Sequence, residues 1–123
     1  MVDALFDTNV LIDYLKGVPE AQVEWELYEQ KSISIITWME VMIGAKSSVV
    51  TATRDFLESM RLIPLDEEVA ERAVTLRQQY RIKLPDAIIW ASAETRSVLL
   101  VTRNTKDFPA NAPGVRIPYL LSH

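Results

Sequence analysis

The chain has 123 residues, 49% of them hydrophobic and 24% charged, with a formal net charge of −4 and no cysteine. That is the length of one domain able to bury a core without covalent staples, and it excludes disulfide frameworks and thiolate chemistry. No apolar run approaches the ~20 residues of a membrane span, the start Met1-Val2-Asp3 lacks the basic region of a secretory leader, and the lack of cysteine fits a reducing cytoplasm. The expectation is a single cytoplasmic domain over residues 1–123.

Val2, Leu5 and Phe6 read as a buried strand, and Val10, Leu11, Tyr14 and Leu15 recur at helical spacing. Asp7-Thr8-Asn9 therefore falls where a strand ends and a helix begins. Pro19-Glu20 opens a second helical stretch through Ala21, Val23, Trp25, Leu27 and Tyr28. Ser32 to Ile36 reads as a short strand, Thr37 to Ala45 as a helix and Thr51 to Met60 as another. Leu62-Ile63-Pro64-Leu65 is an extended link or edge strand, because Pro64 cannot donate in a ladder. Asp66 caps a long helix to about Tyr80 with an acidic first turn and Val69, Ala73, Leu76 and Tyr80 on one face. Pro85 starts a helix through Glu94. Val98 to Thr102 is a continuous apolar strand of the kind buried on both faces, hence parallel and central, and Val115-Arg116-Ile117 is a last short strand. Strands alternating with helices predict an α/β fold on a parallel sheet covered on both sides.

Four acids stand at strand exits or helix starts: Asp7, Glu40, Asp86 and Asp107. Each has a structural alternative. Asp7 fits a helix N-cap, Thr37-x-x-Glu40 is a capping-box pattern, Asp86 sits where a helix dipole favours an anion, and Asn104 with Asp107 fits a capped turn. In an open parallel sheet, however, strand exits share the edge where ligands bind. Four carboxylates brought together there repel one another unless a cation sits among them. Oxygen donors suit Mg²⁺ or Mn²⁺; zinc is disfavoured with no Cys and only His123. Such a cluster suits metal-assisted phosphodiester hydrolysis. Taking these four of the 17 acids into one site leaves the rest balanced against 13 Lys and Arg, and Lys16, Lys46, Arg103 and Lys106 could line a path for a polyanion once metal reverses the local sign. Ordinary solvated surface is the alternative for these bases.

The set Asp7-Thr8-Asn9-Val10-Leu11-Ile12-Asp13, Thr37-x-x-Glu40-Val41 with Gly44-Ala45, Leu84-Pro85-Asp86-Ala87-Ile88-Ile89 and Val101-Thr102-Arg103-Asn104-x-x-Asp107-Phe108 resembles the PIN-domain ribonucleases, in particular the VapC toxins of toxin–antitoxin pairs. The match runs through essentially the whole chain in the family's order. The resemblance implies a three-layer α/β/α sandwich, Mg²⁺- or Mn²⁺-dependent endoribonuclease activity, a homodimer, and a small DNA-binding antitoxin that blocks the site. It maps Asp7, Glu40 and Asp86 onto metal-holding acids. Either Asn104 or Asp107 takes the fourth position; Asp107 is favoured as the only acid in its segment, leaving Asn104 to position water or substrate. Thr8 matches a small hydroxyl residue that orients Asp7 or a bound water, and Arg103 and Lys106 are candidates for substrate binding. Asp13 fits the motif but is expected as a solvent-facing helix acid, and Trp90 as core rather than a base-stacking platform.

Other classes fit less well. A haloacid-dehalogenase-type phosphotransferase wants a second Asp where Asn9 stands, and a receiver domain leads with paired acids. The three glycines, Gly17, Gly44 and Gly114, build no phosphate-cradling loop, and serine-hydrolase chemistry lacks an internal His. A PIN-like scaffold without turnover, or an RNA-processing nuclease without an antitoxin, are the remaining rivals. Apolar stretches at Val23-x-Trp25-x-Leu27-Tyr28 and Trp38-Met39-x-Val41-Met42-Ile43 exceed what one helix face buries and suit a dimer seam or partner groove, with internal core an equal alternative.

Overall fold

The computed structural model describes residues 3–109 and 111–121, so Val2 and His123 of the sequence argument lie outside the described residues. Five short strands form one parallel sheet in the order β3-β2-β1-β4-β5, with β1 at Ala4–Phe6, β2 at Lys31–Ser34, β3 at Arg61–Ile63, β4 at Leu99–Val101 and β5 at Val115–Arg116. Among the described residues six α-helices flank it: α1 Thr8–Leu15, α2 Pro19–Trp25, α3 Ile35–Gly44, α4 Val50–Glu58, α5 Glu67–Tyr80 and α6 Leu84–Thr95. This is the expected three-layer α/β/α sandwich. Among the described residues no helix is long and apolar enough to cross a membrane.

The layers follow from side-chain alternation along the strands. Leu5 and Leu100 point to one face and pack with Ile63, Leu76, Ile89, Trp90 and Phe108 under α5 and α6. Ala4, Phe6 and Val101 point to the other and pack with Val10, Leu11, Ile33, Val41 and Leu57 under α1, α3 and α4. Trp90 is core, 1% exposed between Tyr80 and Phe108. Trp25, partly buried, joins an aromatic cluster with Phe6, Tyr14 and Phe56.

Three sequence readings are corrected. The second strand stops at Ser34, and Ile35 and Ile36 already belong to α3. Ser34 is the cap, its hydroxyl accepting the Ile36 N–H at 3.1 Å, so Thr37-x-x-Glu40 is no capping box. The Val98–Thr102 strand is interior but not the middle one; β1 holds the centre, with β4 between it and β5. The Asp66 cap on α5 stands as expected, accepting from Val69 N at 2.9 Å.

Candidate active site

All strands being parallel, their carboxyl ends share one edge, and β1 delivers Asp7 to its middle. Asp7 N donates to Val101 O at 2.9 Å, which extends the β1–β4 ladder one step beyond the strand. The side chain is 4% exposed and fully engaged. Oδ1 accepts Thr8 N at 2.7 Å, while Oδ2 accepts the Thr102 hydroxyl at 2.7 Å and the Asn9 amide at 3.4 Å. Asp7 is thus the α1 N-cap residue by position, yet its second oxygen is aimed across the sheet.

Thr102 ends the apolar run through β4 and belongs to the motif Val101-Thr102-Arg103-Asn104, yet the sequence argument assigned it no role of its own. It is wholly buried. Its hydroxyl donates to Asp7 and accepts from Asn104 N at 3.1 Å and the Asn9 amide at 3.4 Å, tying the end of β4 to the end of β1. The available signal was its register: Phe6 pairs with Val101, so the polar residues that follow each strand stand side by side.

Glu40 rises from α3, exposed to solvent, and accepts the Thr8 hydroxyl at 2.6 Å; the same hydroxyl lies 3.0 Å from that of buried Thr37. Released from capping, Glu40 is linked to the Asp7 segment instead. Asp86, half-buried in the first turn of α6, follows Pro85 and has no side-chain hydrogen bond among the described residues. Asn104 closes the turn after β4, its Oδ1 accepting Lys106 N at 3.2 Å and Asp107 N at 3.1 Å, while its amide donates to Asp107 Oδ2 at 2.9 Å. Lys106 is exposed on that turn.

Electrostatics couple these groups. Burial raises the Asp86 carboxyl to about 6, with further upward pushes from Asp7 and Asp107, a pull down from Lys83 and a lesser push from Glu40. Burial likewise raises Asp7, and Glu40 adds to it, although the Thr102 and Thr8 hydrogen bonds and the Arg103 charge act the other way. Among the described residues no three His, Cys, Asp or Glu side chains are gathered closely enough, as they stand, to hold one metal ion. The hydrogen bonds explain that: Asp7 turns toward Thr102, Glu40 toward Thr8 and Asp107 toward Asn104. The donor set nevertheless fits a hard divalent cation. It is all oxygen, the Asp86 carboxylate has no side-chain hydrogen bond among the described residues, and the neighbouring Asp7 and Asp107 charges add to the rise of Asp86, a repulsion that a cation relieves.

One further expectation changes. Asp13 is not solvent-facing; it is 5% exposed and receives Arg103 Nε at 2.6 Å, Arg103 Nη2 at 3.2 Å and the Tyr119 hydroxyl at 2.8 Å. Burial alone would raise its carboxyl, but these donors overcome it and hold it below the usual range. Arg103, a candidate for substrate binding, is paired with Asp13 through Nε and Nη2 and keeps 30% of its side chain exposed.

The PIN-domain family matches residues 4–112. The chain belongs to the PIN-domain family. Among PIN-domain relatives, the VapC10 ribonuclease of Mycobacterium tuberculosis is 32% identical over 114 residues, covering 85% of each chain. A solved toxin–antitoxin complex from Klebsiella pneumoniae contains a chain 51% identical to this one, with a TM-score of 0.90 over 96% of this chain and 99% of that one. A DNA-bound VapBC structure from Salmonella typhimurium aligns at 25% identity and a TM-score of 0.76, over 94% and 96% of the two chains. The strand-exit acids thus lie in a PIN fold that runs nearly the length of these relatives.

Proposed function

We propose that this chain is a divalent-cation-dependent endoribonuclease, the toxin of a type II toxin–antitoxin pair, acting as one domain in the cytoplasm. The observation that carries the reading is the acid edge at the carboxyl ends of the parallel sheet, where burial and the charges of Asp7, Asp107 and Glu40 raise the Asp86 carboxyl, and burial with the Glu40 charge raises Asp7. Ribonuclease VapC10 and the Klebsiella toxin–antitoxin complex support the activity and the partner class. Asp7, Asp86, Glu40 and Asp107 would hold Mg²⁺ or Mn²⁺, which when bound supplies positive charge against a phosphodiester and lowers the pKa of water. The protein's own contribution is orientation. Thr102 and Thr8 N–H fix the two oxygens of Asp7, the Thr8 hydroxyl ties Glu40 to the same segment, and Asn104 stands beside Asp107 where it can steer water or an RNA oxygen. Exposed Lys106 lies on the rim for the RNA strand.

A groove of about 330 Å³ between α1, α3 and α4, bordered by Ile12, Leu15, Val41, Val49 and Lys16, contains Glu40 in its lining. A small antitoxin laid in it would cover the acid edge, and exposed Met39 and Ile43 nearby on α3 extend the apolar surface that an antitoxin or a second copy would use. The test is cleavage of a structured RNA pool by the purified chain with Mg²⁺ or Mn²⁺ against EDTA. Metal-dependent cuts are expected. Absence of both cutting and Mn²⁺ binding would replace the enzyme with a PIN-fold scaffold.

A further inference from the structure

The Asp13 carboxylate grips Arg103 through two nitrogens and is itself held by the Tyr119 hydroxyl. A two-point arginine–carboxylate contact fixes the guanidinium plane as well as its position. The third nitrogen, Nη1, has no hydrogen-bond partner among the described residues, and 30% of the Arg103 side chain is exposed. Arg103 directly follows Thr102, the hydroxyl donor to Asp7, and its own N–H lies 3.4 Å from Asn9 Oδ1. A rigid donor therefore borders the acid edge. The chain carries a net charge of −4 and offers little diffuse attraction to a polyanion, so strand binding must come from directed contacts near the carboxylates.

We propose that Arg103 binds a backbone phosphate of the RNA beside the acid edge, and that Asp13 and Tyr119 are its positioning residues. The proposal rests on the ribonuclease reading. Asp13 cancels the long-range charge of Arg103 but leaves it a pre-aimed hydrogen-bond donor, which loses little freedom on meeting a phosphate. Tyr119 brings in the segment after β5, so that α1, the end of β4 and the C-terminal segment jointly set the guanidinium.

The test measures binding of labelled single-stranded RNA in EDTA across a KCl series, with every protein carrying Asp86→Asn to prevent cleavage. Asp13→Asn should weaken binding about two- to tenfold by releasing the guanidinium while keeping the salt slope. Adding Arg103→Gln to Asp13→Asn leaves no buried charge without a partner and should lower the slope of log Kd against log salt by about 0.7, one single-strand phosphate contact. An unchanged slope would make Arg103 a strut and overturn the proposal. Tighter binding by Asp13→Asn would show that this carboxylate only repels the strand, and would overturn its positioning role. If the double variant does not fold, Arg103→Lys keeps the charge without the paired donors: weaker binding at constant slope supports the proposal, and wild-type affinity contradicts it. RNA cleavage by the wild type with an unmoved slope in the binding series defeats the phosphate contact alone, whereas no cleavage by the wild type together with no binding by Asp86→Asn defeats the ribonuclease reading and this proposal together.

Discussion

Thr102 spends its hydroxyl proton on Asp7 while accepting from Asn104 N–H, so one buried side chain sets the orientation of an acid and the path of the segment carrying Asp107. Thr102→Val should lower the cleavage rate by about 10–100-fold, the usual cost of losing an orienting partner, with Thr102→Ser close to wild type; single-turnover kinetics check both. Asp86 makes a pH prediction. Its folded value of about 6 lies above the ordinary 3.8, so the native state holds the proton more tightly than the unfolded chain. Its contribution is neutral below pH 3.8 and becomes destabilising as pH rises through about 6. In EDTA, Asp86→Asn should therefore stabilise the fold at neutral pH by about 1 kcal/mol, discounted for partial solvent screening, with no gain near pH 4; thermal melts at the two pH values decide. Asp7 and Asp86 were legible because strand exit and first helical turn are written in local patterning. Thr102 and buried Asp13 were not, since the first depends on β1–β4 register and the second on partners 90 and 106 residues away.

At the scale of elements, two carboxylate–arginine–tyrosine clasps join the first two helices to the C-terminal third of the chain. Asp13–Arg103–Tyr119 fastens α1, and Glu24–Arg116–Tyr28 fastens α2 to β5, with Arg116 Nε 2.7 Å from a Glu24 carboxylate that is 4% exposed. Burial opposes the charge on Glu24, but the Arg116 and Tyr28 donors hold it below its usual range. Glu24→Gln should cost about 2–3 kcal/mol in urea unfolding, less than a fully buried pair because Arg116 is partly in solvent. Glu24's stabilisation is present above its ordinary 4.5 and is lost as pH falls through its lower folded value. Ser34, not Thr37, caps α3; Ser34→Ala should cost about 1 kcal/mol, whereas Glu40→Gln should leave stability nearly unchanged and depress cleavage. The helices and their order were legible from periodicity. The α3 start was not, because Ile35 and Ile36 continue an alternating strand pattern and only the Ser34 side chain breaks it.

For the whole molecule, the parallel sheet brings acids from four separated segments near enough at one edge that Asp7, Asp107 and Glu40 all act on Asp86, while Glu40 also lines the groove beside α3, whose Met39 and Ile43 are exposed. Catalysis and inhibition would then share one surface: a partner filling the groove would cover the carboxylates, and its affinity would fall when Glu40 or its groove neighbours change. The sheet order itself was not legible, since chain order does not say that β1 lies between β2 and β4. The central claim is that the strand-exit acids act as one cation-dependent site for RNA cleavage. It is tested most directly by measuring Mn²⁺ affinity and Mn²⁺-dependent cleavage together for wild type, Asp7→Asn and Asp86→Asn, each shown to be folded. The account predicts that both variants lose metal affinity and lose cleavage by orders of magnitude. A folded Asp86→Asn that cleaves RNA at the wild-type rate with unaltered Mn²⁺ affinity would contradict it.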